Sequence, residues 1–184
     1  LKLSNKFIFE HNDVVTTKKT RFISSGTQLL RVDQDCSVLS RSHHQNLWGK
    51  LKTELEKFNS IIISDYDKGV CNPSTTKKII KIANINKIKI FVDPKGSNWS
   101  KYSSAYCITP NALEAEEYLK KTLVSDDDFA KAAKKIKNEL NLNSCLITRG
   151  AEGMTYYSNS ELIHQKVEKK PVFDVSGAGD TVIS

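Results

Sequence analysis

The residues best equipped for chemistry lie at the end of the chain, in Asp174-Val175-Ser176-Gly177-Ala178-Gly179-Asp180-Thr181. Glycines let the backbone turn tightly and approach a ligand with no Cβ in the way. A helix opening among these small residues presents its first N–H groups together, an anion site suited to phosphate. Asp180 stands out, because a carboxylate inside a phosphate cradle repels the ligand unless it has a chemical task. The task that fits is that of a base, accepting the proton of an alcohol that attacks a γ-phosphoryl group. A glycine turn with a helix-capping Asp accounts for the same letters, and short glycine motifs are weak evidence singly.

A second group is Thr109-Pro110-Asn111-Ala112-Leu113-Glu114. Asn111 and Glu114 take the N-cap and N3 spacing of a capping box, which is a purely structural device. The functional reading gives Glu114 a hydrated Mg²⁺ near nucleotide phosphates, since Mg²⁺ keeps several waters and needs few protein oxygens. Taken alone, the spacing favours the cap.

The elements that must position these groups follow from local patterns. Ile61-Ile62-Ile63-Ser64, Ile88–Val92, Tyr106-Cys107-Ile108 and Cys145–Thr148 read as buried strands, and Val172-Phe173 leads into the last motif like another. Asn72-Pro73 opens a helix to about Ala83 and Asn111 one to about Lys121. Ser125, followed by three acids, caps a helix from Phe129 to Leu140. Met154–Tyr157 and Leu162–Val167 flank Ser158-Asn159-Ser160 as a hairpin. Strands alternating with helices predict a mainly parallel α/β sheet, in which ligands gather beyond the carboxyl ends of the strands.

The composition narrows the classes. The chain has 184 residues, 39% hydrophobic and 27% charged, which suits one continuous domain with a real core and is too apolar for disorder. It has no apolar run long enough for a bilayer and no secretory signal pattern. The net charge of +7 comes mostly from scattered lysines, with doublets such as Lys77-Lys78, Lys120-Lys121 and Lys134-Lys135 on predicted helix surfaces; Arg occurs only at 21, 31, 41 and 149. That dispersion argues against nucleic acid as a partner, while favouring anionic substrates. Cys36, Cys71, Cys107 and Cys145 lack metal-ligand spacing and make no disulfide framework, so a reducing cytoplasm fits. His43-His44 reads as a polar surface turn, and no histidine is assigned to catalysis.

Together, Asp-x-Ser-Gly-Ala-Gly-Asp, the upstream Asn-x-x-Glu and Thr148-Arg149-Gly150-Ala151-Glu152-Gly153 resemble the ribokinase-like (PfkB-type) carbohydrate kinases. Lys19-Thr20-Arg21, Gln28–Asp33, Ser64-Asp65-Tyr66-Asp67-Lys68-Gly69 and Val92-Asp93-Pro94-Lys95-Gly96 extend the likeness over nearly the whole chain and towards the branch acting on D-glycero-β-D-manno-heptose 7-phosphate. In many bacteria that kinase domain is fused to an adenylyltransferase.

The resemblance implies a ribokinase-like fold and ATP-dependent phosphorylation at C1, giving a heptose 1,7-bisphosphate for the lipopolysaccharide core. It implies ATP and Mg²⁺ as cofactors, no membrane partner, and a homodimer when full length. Asp180 would be the catalytic base, with Gly177, Ala178 and Gly179 as the anion hole. Asn111, Ala112, Leu113 and Glu114 would contact ATP, with Glu114 reaching Mg²⁺ through water. Lys68, Asp93 and Lys95 would be either substrate-side contacts or loop-stabilising ion pairs. Arg31 and Arg21 would meet a sugar phosphate or form salt bridges with Asp33 or Glu10. Asp174 would order the turn or bond the local backbone.

Ser176 stands where the family often has Thr, and Asp67 adds a charge. The family's N-terminal strands and glycine-rich sugar-binding region are expected before Leu1, and its adenine-pocket elements after Ser184. Residues 1–184 are therefore expected to be the central part of a kinase domain. Two alternatives remain: a PfkB-type kinase for ribose, fructose or a nucleoside, and an inactive remnant. No Gly-x-Gly-x-x-Gly opens an early βα unit, which argues against a dehydrogenase module.

Overall fold

Two antiparallel strands, β1 (Lys18–Ser24) and β2 (Thr27–Gln34), form a separate ribbon that turns through Ser25 at φ 48°. The chain continues through α1 (Arg41–Leu51), β3 (Ser60–Ser64), α2 (Pro73–Ile85), β4 (Lys89–Asp93) and β5 (Cys107–Ile108). Then come α3 (Ala112–Leu119), α4 (Asp126–Glu139), β6 (Ser144–Thr148), β7 (Met154–Ser158), β8 (Leu162–Gln165) and α5 (Ala178–Ile183). This computed structural model describes residues 8–9, 12, 14–25, 27–35, 39–167 and 178–183. Val172 and Phe173, read as a strand, lie outside them.

Strands β3 to β8 make one six-stranded sheet in sequence order. β3 through β6 pair in parallel, and the predicted hairpin adds β7 and β8 antiparallel. The sheet is thus mixed, with the expected parallel α/β half carrying the helical connections. No helix among the described residues is long and apolar enough to cross a membrane.

Most helix starts follow their caps. Asn72 accepts from the Thr75 N–H at 2.9 Å with Pro73 in the first turn, and Asn111 and Glu114 form both halves of a capping box. Three expectations are corrected. α4 begins at Asp126 rather than Phe129, because Ser125 accepts from Asp128 and draws the acids into the first turn. α3 stops at Leu119, since Lys120 is left-handed at φ 52°, so Lys120-Lys121 lies beyond the helix. His43-His44 sits inside α1, where His43 Nδ1 accepts the Ser40 N–H at 3.1 Å. An imidazole there fills the place usually held by Glu or Gln.

The core forms where the two periodicities meet. Ile90, Val92, Ile108, Cys145 and Ile147 are buried on the strands, and Phe129, Ala132, Ala133 and Ile136 give α4 its apolar stripe. Trp99 and Tyr102 come from a 3-10 turn (Trp99–Tyr102) and are fully enclosed. Trp99 stacks on Tyr118 of α3, ring centres 4.3 Å apart and 9° from parallel. This packing holds the loops after β3, β4 and β5 at one edge of the sheet.

Two of those loops nearly touch at Gly96, whose φ is +74° and where a Cβ would stand 2.8 Å from the Asp67 carboxylate. Asp67 is itself left-handed at φ 55°, a conformation Asp tolerates better than most residues. Gly96→Ala should therefore destabilise twice over, by about 1 kcal/mol or more for the backbone and by the clash in addition. Urea midpoints should show part of the loss returned in an Asp67→Gly background; equal losses in both backgrounds would refute the clash. Ile136→Ala, which opens a void against the sheet, should cost about 2–5 kcal/mol on the same scale.

Candidate active site

The carboxyl ends of the parallel strands collect the polar residues that the sequence singled out. Ser64 and Asp93 are register partners at the ends of β3 and β4, and the Asp65 N–H donates to the Asp93 carbonyl at 3.1 Å. Beyond β4, Pro94 is buried and Lys95 turns towards α3. After β5, Thr109 donates to the Val92 carbonyl at 3.2 Å, and Asn111 bridges in parallel to Thr148 at the end of β6. Four strands therefore present their following residues along one line, as expected for a ligand edge.

Lys95 and Glu114 meet there. The Lys95 ammonium lies 2.7 Å from Glu114 Oε1, while Glu114 Oε2 accepts the Asn111 N–H at 3.0 Å. One carboxylate thus serves the cap and an ion pair at once. The hydrogen bond to Glu114 holds Lys95 above the usual lysine range, against partial burial that pulls it down. Ala112 opens α3, and Leu113 is exposed at its mouth, where first-turn N–H groups have no intrahelical acceptor.

A hydrated divalent cation fits this corner. Glu114 brings a carboxylate to the edge whose Oε1 is shared with the Lys95 ammonium at 2.7 Å and whose Oε2 holds the cap, so a cation here would meet it through water. Among the described residues no three His, Cys, Asp or Glu side chains converge into a metal cage. A cation here would be held largely through waters and phosphate oxygens.

Beneath the edge sits a cluster that sequence reasoning missed. Asp65 is 4% exposed and accepts Lys101 Nζ and the Tyr102 hydroxyl on Oδ2, each at 2.6 Å, and the Asp67 N–H on Oδ1 at 2.8 Å. The Tyr102 oxygen in turn accepts the Lys95 N–H at 3.3 Å. Burial, then the bond to Asp65, raises the Tyr102 phenol far above its ordinary value. Burial also pushes the neighbouring Cys71 thiol up to about 12, so it is no thiolate nucleophile. Lys101 and Tyr102 lie in an irregular turn that gives no periodic signal; the only hint was a lysine within an aromatic pair.

The remaining predicted residues divide between the edge and the ribbon. Lys68 forms an ion pair with Asp35 at 2.5 Å, just past β2. Arg31 takes its structural alternative, with Nε 3.0 Å from Asp33, and stands directly across the ribbon from Arg21. Lys19, on the same face, places its ammonium 5.4 Å from the Tyr66 ring centre. Arg149 is enclosed after β6, pairing with Asp126 at 2.5 Å and lying 4.3 Å over the Phe129 ring. The bond from Arg149 holds Asp126 below the usual carboxylate range.

Ala178, Gly179 and Asp180 fall within α5, which runs beside β4. Their side chains, like Gly177, Ser176 and Asp174 as a whole, lie outside what is described.

Comparison with known proteins agrees with this architecture. The chain is 37% identical over 185 residues to Bifunctional protein HldE of Aliarcobacter butzleri, covering 100% of the chain and 39% of that protein. It is 37% identical over 179 residues to Bifunctional protein HldE of Helicobacter hepaticus, covering 97% of the chain and 37% of the relative. The chain thus spans well under half the length of these relatives. Among solved structures, Escherichia coli phosphofructokinase-2 in complex with substrates and products superposes with a TM-score of 0.71 at 19% identity, over 91% of this chain and 55% of that one. Arabidopsis thaliana ribokinase complexed with ribose and ATP gives 0.69 at 15% identity, over 92% and 55%. These two likenesses establish the ribokinase-like fold. The family model for pfkB family carbohydrate kinases matches residues 4–184, and with a strand edge built this way the chain belongs to that family.

Proposed function

We propose that this chain contributes the nucleotide-side edge and a sugar-side ribbon to an ATP-dependent kinase that phosphorylates D-glycero-β-D-manno-heptose 7-phosphate at C1. The observation that carries the sugar-phosphate half is the ribbon register, which sets Arg21 opposite Arg31 on one face. Asp33 already pairs with Arg31 at 3.0 Å, and a bound anion would add a partner shared by both guanidiniums, which oppose each other across the strands. Guanidinium forks suit a phosphate monoester in particular. The similarity to proteins named Bifunctional protein HldE along the whole chain supports the same substrate.

In this reading Asp180 takes the proton of the C1 hydroxyl as its oxygen attacks the γ-phosphoryl group of ATP, and ADP leaves. The N–H groups of Gly177, Ala178 and Gly179 stabilise charge on the transferring group. Lys95 balances phosphate charge from the β4 side, and Asn111 to Glu114 line the nucleotide phosphates. Mg²⁺, held through water by Glu114, would supply charge neutralisation between phosphate oxygens. The reaction needs no metal cage and no cysteine. The full-length protein is proposed to act in the cytoplasm as a homodimer.

An acceptor panel on the full-length protein tests the substrate. Transfer from ATP should be strong with heptose 7-phosphate and weak with ribose or fructose; transfer to ribose but not heptose 7-phosphate would sink the reading. Asp180→Asn should lower kcat by about 10²–10⁴-fold while ATP still binds in calorimetry. Glu114→Gln separates cap from metal, since Gln also serves at N3 of a capping box. The melting temperature should stay within a few degrees, and the Mg²⁺ concentration for half-maximal rate should rise several-fold. An unchanged Mg²⁺ requirement would leave Glu114 a cap alone.

A further inference from the structure

The Asp65 cluster reaches the edge without facing solvent, and its geometry has a direction. Asp65 draws the Tyr102 proton, at 2.6 Å, which leaves the phenol oxygen as an acceptor. That oxygen receives the backbone N–H of Lys95 at 3.3 Å, the same residue whose ammonium meets Glu114. Lys101 neutralises Asp65 at 2.6 Å and lies 5.1 Å from the Tyr102 ring centre, while Oδ1 holds the Asp67 N–H. Both Asp65 and Lys101 are almost wholly buried. Neither is available to a substrate, yet each of their bonds ends on a loop that forms the ligand edge.

We infer that Asp65, Lys101 and Tyr102 form a positioning cluster for phosphoryl transfer, which fixes the Lys95 backbone so that its ammonium stands where phosphate charge develops. The cluster acts through Lys95 and touches no substrate. The inference rests on the kinase reading above, and specifically on Lys95 serving the transferring phosphate. Displacement of a charged group by about 1 Å is enough to lower a rate by up to about 10²-fold.

Tyr102→Phe is the discriminating variant, because it removes one oxygen and keeps the buried ring. Asp65→Asn is less useful, since it strands the buried Lys101 ammonium and costs folding. In the full-length protein, with whichever acceptor the panel identifies, Tyr102→Phe should lower kcat roughly ten-fold. KM for ATP and acceptor should move less than about two-fold, since the lost contact serves the transition state. Lys95→Ala should lower kcat at least as far. The double variant should then be no slower than Lys95→Ala, because Tyr102 has nothing left to position.

The inference is overturned if the Tyr102→Phe loss persists undiminished in the Lys95→Ala background, or if Tyr102→Phe turns over like the parent while Lys95→Ala does not. If Lys95→Ala itself transfers at the parent rate, the role given to Lys95 fails first and the inference falls with it. Hydrogen exchange supplies a readout free of activity: the Lys95 amide should exchange faster in Tyr102→Phe. Unchanged protection there would show that the bond does not anchor this loop, and would also overturn the inference.

Discussion

A buried carboxylate constrains everything around it. An Asp carboxyl at 4% exposure is tolerable only when donors replace its lost water, and Asp65 finds three of them on two different segments. The Asp67 N–H comes from the loop after β3, and Lys101 and Tyr102 from the turn that packs beside α2. Tyr102 then reaches a third segment, the loop after β4, through Lys95. Loss of one partner from such a pair costs about 3–5 kcal/mol, as much as a large aliphatic taken from the core. The polar cluster and the apolar core are thus comparable in weight, and the cluster ties together the loops at the carboxyl edge of the sheet.

The same economy is visible at Glu114. Its cap and its proposed function looked like rivals, because either explains an Asn-x-x-Glu spacing. The two oxygens divide the work: Oε2 holds the Asn111 N–H and Oε1 faces Lys95. The cap orients the carboxylate, and an oriented carboxylate is what a weakly held hydrated cation or a phosphate-side lysine requires. A capping box at the mouth of a helix therefore does not argue against chemistry there; it supplies the rigidity that the chemistry needs.

What could be read from sequence was what local physics determines. Short apolar runs marked β3, β4 and β6, and the side-chain caps at Asn72 and Asn111 marked the starts of two helices, with Ser125 the cap of a third that begins three residues before the expected Phe129. Errors arose where local rules were met by an unusual residue or overridden nearby. His43 caps in place of Glu, Lys120 ends α3 by turning left-handed, and the acids before Phe129 join the helix. Lys101 and Tyr102 were illegible because a buried ion pair between positions 65 and 101 leaves no periodic trace. The β1–β2 ribbon escaped for a related reason. The register shift between Phe22 and Ile23 leaves Leu29 as the extra residue of a bulge, and such an insertion breaks the alternation that marks a strand.

The ribbon and the sheet edge are held in different ways. Thr20, Phe22, Leu30 and Val32 share one face, and Lys19, Arg21, Arg31 and Asp33 the other. Phe22, Leu30 and Val32 are each about half exposed, so the ribbon draws little from apolar burial among the described residues. Two-stranded ribbons are marginal on their own. The described ties to the sheet edge, Lys68 to Asp35 and Lys19 over Tyr66, are partly exposed contacts, each worth at most about 1 kcal/mol. The edge at the carboxyl ends of the strands, by contrast, is clamped by buried charge and stacked aromatics. An anion seated between Arg21 and Arg31 would be held by both guanidiniums, beside the Asp33 carboxylate that already pairs with Arg31. In the proposed reading, an anion at the ribbon would therefore add stability to a weakly held element, whereas one at the strand ends would meet loops already clamped.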